Sequence, residues 1–308
     1  MTTFISIASA AIVYAVSILY AGIGGIFSQR AGVINLGVEG IMLMGAVSGF
    51  LTVFHTNNLL VAMLVVILTG ALLGLAYGFV TITLQADQTV AGMAFLTFGS
   101  GLSGFIGKSV TGFTSAIKFK PIHIPLLSKI PVIGPIFFQQ DLLVYLIYIL
   151  VPASFIYIYK TRPGMILRAL GENPSTLDSA GYNVFALRYI YVTFSCILMA
   201  ISGACISLSY TNFWVEGMTG GKGWIAVALV AFSSWNPMKA LFGAFLFGAV
   251  SIIGMNMQIY FSGIASQFYG MLPYLATIIA LVLTTGNFRK KHTEAPAALA
   301  QPFDRENR

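Results

Sequence analysis

Long stretches without a single charged residue dominate this chain. They cover residues 1–29, 40–86, 88–107, 142–159, 189–215, 223–238 and 240–288. A helix needs about 20 apolar residues to cross the hydrocarbon core of a bilayer, so the two longest runs must each hold two crossings. Only 8% of the 308 residues are charged and 57% are hydrophobic, which leaves too few polar side chains to cover a water-facing surface. We therefore predict an all-α polytopic membrane protein.

The uncharged runs predict about nine transmembrane helices. We place them near residues 4–27, 35–54, 59–82, 89–107, 142–159, 189–210, 223–236, 240–258 and 269–286. The breaks inside the two long runs depend on weak signals, namely His55, Asn57 and Asn58 in one and residues 262–267 in the other, so eight or ten spans stay open. The first apolar stretch is too long for a signal-peptide core, so we expect a retained helix.

Basic residues predict the orientation of the chain in the membrane. They flank the connection at residues 160–188 and follow the last span as Arg289, Lys290 and Lys291. Cytoplasmic loops carry an excess of Lys and Arg, so both segments are expected inside the cell. With nine spans the N-terminus then lies outside and the C-terminus in the cytoplasm. We expect a transmembrane domain over residues 1–288 and a cytoplasmic tail over residues 289–308.

The two halves of the chain share a pattern. In each half a long span meets a short polar segment with glycines, residues 29–40 in the first half and 211–223 in the second, and then re-enters as an apolar helix. With nine spans, residues 4–107 run opposite to residues 189–286, and the fifth span connects them. This pattern is typical of an inverted repeat, in which broken helices in corresponding positions point to a pathway near the midplane.

The two broken segments hold the candidate residues for that pathway. Charged residues near an apolar core are costly and are functional candidates by default, although a role in holding the break fits Glu39 and Glu216 equally well. The aromatic side chains nearby either stack on a planar ligand or form an interfacial belt. The candidate pathway residues are Asn35, Glu39, Asn212, Trp214, Glu216 and Trp224.

The sequence gives no support for catalysis or for a cofactor. Gly99, Gly101 and Gly104 spell G-x-G-x-x-G, but they lie in an apolar span and not between a strand and a helix, so we expect no nucleotide site. The three histidines lie far apart and lack the spacing of metal ligands. We predict no enzyme, no metal site and no cofactor. The net charge of +7 agrees with basic cytoplasmic loops and does not require nucleic acid.

The connection between the fifth and sixth spans carries strong helix-end signals. Asn173 can cap a helix that begins with Pro174, and Gly181 can end it in the left-handed conformation. These signals predict a helix of about two turns outside the membrane. A short rigid helix there suits a membrane subunit that takes force from a separate motor, although a plain amphipathic connector is also compatible with the pattern.

Three motifs together resemble the permease subunits of bacterial ABC importers. They are SQRAGVINLGVEG at residues 28–40, GENP at 171–174 with Gly181, and GKGWIAVAL at 221–229 followed by WNP at 235–237. The similarity covers about residues 10–288 and is strongest to the nucleoside-uptake branch of the family that also holds ribose and branched-chain amino-acid permeases. One departure is Lys222, where the family often carries Arg.

The resemblance implies ATP-driven import in which ATP hydrolysis takes place on a separate ATPase subunit. It further implies a second permease subunit, expected to be a paralogue, and an extracytoplasmic substrate-binding protein above the Pro-rich residues 121–135. The predicted cytoplasmic helix matches the family's coupling helix, which sits in a groove of the ATPase. The residues implied in coupling are Gly171, Glu172, Asn173, Pro174, Asp178 and Gly181.

Nucleosides are the expected substrates, and other classes stay open. Lys222 and Arg30 are expected at membrane boundaries, so the membrane core is expected to hold no cation that could bind an anion. This disfavours nucleotides and sugar phosphates as substrates. Ribose or another sugar is the runner-up, because it needs similar hydroxyl-matching groups but less aromatic surface. An ion-coupled secondary transporter is less well supported, because the predicted spans hold Glu39 as their one acidic residue. A membrane scaffold would not need the broken segments or the cytoplasmic helix.

Overall fold

The computed structural model describes residues 2–115, 117–125, 127–260, 263, 265–287 and 295–305. The helices in these residues are α1 (Thr2–Arg30), α2 (Val38–Thr56), α3 (Leu59–Gly78), α4 (Gln88–Gly107), α5 (Ile133–Phe137), α6 (Leu142–Lys160), α7 (Arg162–Glu172), α8 (Pro174–Ser179), α9 (Val184–Cys205), α10 (Lys222–Phe232), α11 (Pro237–Tyr260) and α12 (Ser266–Asn287). Two short strands, β1 (Ile122–His123) and β2 (Gln139–Gln140), pair antiparallel. The basic residues 289–291, which were expected inside the cell, lie outside the described residues.

Seven of the described helices are long and apolar enough to cross a membrane. They include residues 5–30, 38–56, 59–83, 88–110, 142–160, 184–210 and 237–258. The chain is therefore a multi-pass membrane protein. Helix α12 lies where the ninth predicted span was placed, whereas α10 has 11 residues and is about 16 Å long, roughly half the hydrocarbon thickness. The expected number of about nine spans is thus approximate, and the seventh predicted span, at residues 223–236, is the half-helix α10.

Short polar side chains set several helix starts. The carboxylate of Asp87 accepts hydrogen bonds from the backbone N–H groups of Thr89 and Val90, which fixes the start of α4. Asn58 caps α3 in the same way, one residue after Asn57 ends α2 in the left-handed conformation with φ of 52°. The weak signals at this break in the sequence are confirmed, because both asparagines satisfy backbone groups that a continuous helix would pair internally.

Helices α1 and α9 form the central antiparallel pair. Their contacts run in opposite residue order, Tyr14 with Tyr210, Ser17 with Ser202 and Phe27 with Phe194. Glycines allow the neighbouring helices to approach closely. A Cβ added at Gly70 or Gly74 of α3 would lie 2.7 Å from the α9 backbone, so these two glycines let α3 pack closely on α9.

The two halves pack in corresponding ways. Helix α11 packs on α1 as α3 packs on α9, and α10 packs on α1 as α2 packs on α9. With α1 and α9 antiparallel, this correspondence is the arrangement that an inverted repeat requires. The repeat boundaries 4–107 and 189–286 stay a prediction.

The half-helix α10 begins near the middle of the bundle. It runs parallel to α1, because its first residue, Lys222, lies beside Tyr14, and the later residue Leu229 lies beside Gly22. Tyr14 is close to the midpoint of α1. Tyr210, shortly after α9, also lies beside Tyr14, so residues 211–221 leave this level and return to it before α10 begins. A similar return joins α1 to α2 through residues 31–37.

Candidate functional site

The two broken segments meet at the carboxylate of Glu39. Its Oε1 atom accepts hydrogen bonds from the Thr219 hydroxyl at 2.5 Å and from the Gly221 backbone N–H at 2.8 Å, and its Oε2 atom accepts from the Gly223 N–H at 2.6 Å. Glu39 stands in the first turn of α2, and the N–H groups belong to the start of α10. A negative charge at a helix N-terminus is stabilising, so Glu39 holds the start of α10 against the start of α2.

The close approach at this junction depends on small residues. A Cβ at Gly223 would lie 2.7 Å from the backbone of Glu39, and a Cβ at Gly99 would lie 2.5 Å from the carbonyl oxygen of Gly40. The G-x-G-x-x-G stretch thus includes a glycine that packs α4 on α2, a role that agrees with the interpretation that it is not a nucleotide fingerprint.

Asn35 braces the first broken segment. Its side chain is buried, its oxygen accepts the Gly37 N–H at 2.8 Å, and its amide nitrogen lies 3.5 Å from the sulfur of Cys196 on α9. These contacts hold residues 35–37 in a turn that leads into α2. Because the amide is engaged on both sides, Asn35 stabilises the break in the described structure.

A cavity of about 350 Å³ opens beside the second broken segment, between α1, α9, α10, α11 and α12. Its volume is in the range typical of small-molecule sites, about 300–1,000 Å³. Four tyrosine rings and several polar groups share the lining with apolar side chains. The polar and aromatic lining residues are Tyr14, Tyr210, Thr211, Thr219, Lys222, Ser251, Gln258, Tyr269 and Tyr274.

Lys222 is the cation of this cavity. Its Nζ atom lies 4.2 Å from the ring centre of Tyr14 and 5.3 Å from that of Tyr210, distances at which a cation is attracted to an aromatic face. The residue is buried, and within the described part of the chain no carboxylate forms an ion pair with it. Lys222 was expected at a membrane boundary, whereas the structure buries it beside Tyr14, near the midpoint of α1.

The other predicted pathway residues do not line this cavity. Trp214 is fully buried and packs against Gly107. Asn212 donates to the Ser115 carbonyl at 2.7 Å, and Glu216 is exposed near Gly104. Among the described lining residues the six candidates do not occur, and their contact with a substrate stays a prediction.

Trp224 and Glu39 both lie near residues that line the cavity. Trp224 is on α10, two residues after Lys222, and 41% of its side chain is exposed. Glu39 acts on the cavity indirectly, because it holds the residues 219–223 that form one wall. The tyrosines of α1 and α12 were missed because they stand inside uninterrupted apolar runs, where no sequence signal separates a lining side chain from a packed one.

The predicted cytoplasmic helix is present as α8. Asn173 accepts the Thr176 N–H at 3.0 Å, Pro174 is the first helical residue, and Gly181 has φ of +88°. At its end the Tyr182 N–H bonds to the Leu177 carbonyl and the Gly181 N–H to the Asp178 carbonyl. This pair of bonds is the Schellman motif, so both predicted helix ends are confirmed. Gly171 precedes the helix and packs on the backbone of Arg30.

Comparison with known proteins identifies the family. The model of the branched-chain amino acid transport system permease component matches residues 7–284. The chain belongs to this family. It is 34% identical over 96% of both chains to the guanosine ABC transporter permease protein NupQ of Bacillus subtilis, and 33% identical over 89% of its length to the nucleoside ABC transporter permease protein NupC of Lactococcus lactis, of which 90% is covered. It is 35% identical, over 94% of both chains, to a putative glucose ABC transporter permease protein, TsgC13, of Haloferax volcanii. No solved structure matches the chain.

Membership confirms the permease resemblance of the three motifs. The first motif supplies Asn35 and Glu39, and the third supplies Gly221, Lys222 and Gly223. In this permease component the two motifs are joined by the Glu39 carboxylate, although about 180 residues separate them in the sequence. The motifs therefore mark the junction of α2 and the half-helix α10.

Proposed function

We propose that this permease component imports nucleosides, and that they pass through the cavity beside Lys222. The observation that carries the proposal is the lining, in which the rings of Tyr14 and Tyr210 face the Lys222 ammonium and Tyr274 adds a further aromatic surface. Relatives named as guanosine and nucleoside permeases, each at least 33% identical over most of the chain, support the same substrate class.

The chemistry of a nucleoside fits this lining. A nucleobase is flat and stacks on aromatic faces, which the tyrosine rings provide. Its carbonyl oxygens and ring nitrogens accept hydrogen bonds, which the Lys222 ammonium can donate. The ribose hydroxyls can pair with side chains such as Ser251 and Gln258. Because Lys222 lies in the cavity and not at a membrane boundary, the argument that disfavoured anionic substrates no longer holds. A nucleoside meets this ammonium through its hydrogen-bond acceptors and not through a net charge.

ATP would drive this transport through partner subunits. We infer that α8 docks on a separate ATPase subunit, that a second permease subunit completes the path, and that an extracytoplasmic binding protein delivers the substrate. ATP binding would move α8 and shift the helices between outward-open and inward-open arrangements, a change set by the differential affinity of the partner for the two states. The N-terminus would lie outside and the tail in the cytoplasm.

A sugar is the second candidate substrate. One observation favours it, namely the 35% identity to the permease TsgC13, whose name gives glucose as its substrate. A sugar would use the hydroxyl and amide groups of the cavity but would leave part of the tyrosine surface without a planar partner.

Competition uptake tests the proposal. The complete transporter is expressed in cells that lack their own nucleoside and ribose uptake, and the entry of labelled guanosine is measured with unlabelled adenosine, guanosine, uridine, cytidine, ribose or glucose in excess. The proposal predicts that nucleosides displace the label and that the two sugars do not. Displacement by a sugar alone would overturn it. Uptake that persists without any ATPase subunit would indicate a secondary transporter.

A further inference from the structure

A segment near the C-terminus lies across the end of the bundle at which α1 ends and α9 begins. We call residues 295–305 the strap. It contacts the coupling segment formed by α7 and α8, the turn between α1 and α2, the loop before α4 and the start of α9. The contacting residues outside the strap are Gly32, Gln85, Gly171, Glu172, Asp178, Phe185 and Arg188.

The strap is fastened to the coupling segment at three points. The Ala298 N–H donates to the Gly171 carbonyl at 2.8 Å, and the Ala297 N–H lies 3.3 Å from the Glu172 carboxylate. Arg305 donates two hydrogen bonds to one carboxylate oxygen of Asp178, at 2.8 and 3.1 Å. Charge-assisted bonds of this kind are the stronger class. The Asp178 side chain is 4% exposed, so it faces the strap and not the solvent.

The same segment is fastened to both halves of the membrane domain. The Ala300 N–H donates to the Gly32 carbonyl at 3.1 Å, which ties the strap to the first broken segment. The side chain of Phe303 is 4% exposed and lies 5.6 Å from the ring of Phe185, at the start of α9. Its backbone carbonyl accepts from Gln85 at 3.0 Å.

Arg188 gives the strap a polar anchor under its surface. The guanidinium is 2% exposed, its Nη1 donates to the Gln301 carbonyl at 3.2 Å, and its other two nitrogens have no partner among the described residues. Loss of the Gln301 carbonyl would remove the one hydrogen-bond acceptor that the described residues offer the buried Arg188 guanidinium, which is costly. The strap is therefore held by interior contacts as well as by the exposed Arg305.

We infer that the strap is a positioning element that sets the pose of the coupling helix α8 relative to the broken segments. This inference rests on the proposed function, because α8 acts on transport only if an ATPase moves it. Both acidic residues that the sequence assigned to coupling, Glu172 and Asp178, contact the strap. Their role in coupling is thus to hold the strap, and Arg305 acts on transport through Asp178.

Cross-linking tests the placement without any substrate. Glu172 and Ala297 are both exposed, and a double variant, Glu172→Cys with Ala297→Cys, is treated with a short bifunctional thiol reagent in membranes. Efficient cross-linking is expected. Adding Arg305→Glu should slow the reaction by about an order of magnitude, because a like-charge contact replaces a charge-assisted pair. Adding Asp178→Arg to that variant should restore the rate. Equal rates in all three variants would overturn the inference.

Transport and ATP hydrolysis test the role. Arg305→Glu and a chain that ends before residue 295 should both lower uptake about tenfold, while the ATPase of the assembled complex loses its stimulation by binding protein and substrate. The pair Asp178→Arg with Arg305→Glu should recover uptake, and Lys160→Glu, an exposed cation at the end of α6, should leave it unchanged. Normal uptake in Arg305→Glu, or no recovery in the pair, would overturn the role. If the parent imports no nucleoside, the proposed function fails, whereas cross-linking and hydrolysis still decide on the strap.

Discussion

Glu39→Gln is expected to loosen the junction between the start of α2 and the start of α10. The carboxylate accepts three hydrogen bonds, and an amide can keep the two at Oε1 but places an NH₂ group against the Gly223 N–H. One charge-assisted bond is lost and two donors face each other. Hydrogen bonds to charged groups contribute about 1.5–3 kcal/mol, so we expect a loss of roughly 2–3 kcal/mol. The contribution of the charge to the α10 N-terminus, about 0.3–1 kcal/mol, is lost as well.

Thermal unfolding in lipid nanodiscs measures this loss. A destabilisation of that size is expected to lower the midpoint by roughly 4–12 °C, on the scale of about 2–4 °C per kcal/mol for larger domains. Glu216→Gln is the matched control, because Glu216 belongs to the same broken region but is exposed, and it should shift the midpoint by less than about 1 °C. An unchanged midpoint for Glu39→Gln, or equal shifts for the two variants, would refute the claim that Glu39 holds the start of α10 against the start of α2.

Three further predictions follow from the packing and the cavity. Lys222→Met should lower nucleoside uptake about tenfold at normal membrane levels of the protein, because an ammonium donor is lost while the side-chain volume is kept. Lys222→Arg should retain most of the uptake. Uptake of labelled nucleoside measures the effect of each variant. Gly45→Ala should lower stability by about 1–3 kcal/mol, because its Cβ would meet the backbone of Ala200, whereas Gly101→Ala, with no atom within 4 Å, should be neutral; unfolding midpoints compare them. Asn173→Ala removes the cap of α8 and should weaken that helix by about 1 kcal/mol, visible as faster hydrogen exchange over residues 174–179.

Most of the membrane architecture could be predicted from the spacing of charges. The helices α1 to α4 lie close to their predicted positions because Arg30, Asp87 and the Asn57–Asn58 pair interrupt apolar runs at real helix ends. The ends of α8 were also predictable, since capping by Asn173 and a left-handed Gly181 are local effects that need no tertiary contact. Residues that cap or interrupt a helix therefore predict where that helix begins and ends.

The depth of Lys222 could not be predicted from its neighbours in the sequence. A lysine between polar residues and an apolar run is normally an interfacial anchor, and the contact that overrides this pattern comes from Glu39, far away in the chain. The strap escaped prediction for the same reason. Its small and apolar residues follow a basic stretch and give no sign that Phe303 is buried or that Arg305 meets Asp178.

Cysteine protection in the cavity tests the central claim most directly. Met255 lines the cavity and Met257, two residues further along α11, does not, yet each side chain is 41% exposed. Met255→Cys and Met257→Cys are labelled with a small thiol-specific reagent in the assembled transporter, with the parent as background because Cys196 and Cys205 are buried. We predict that saturating guanosine slows labelling at position 255 at least fivefold and leaves position 257 unchanged, whereas glucose changes neither. Equal labelling of Met255→Cys with and without guanosine would contradict the account.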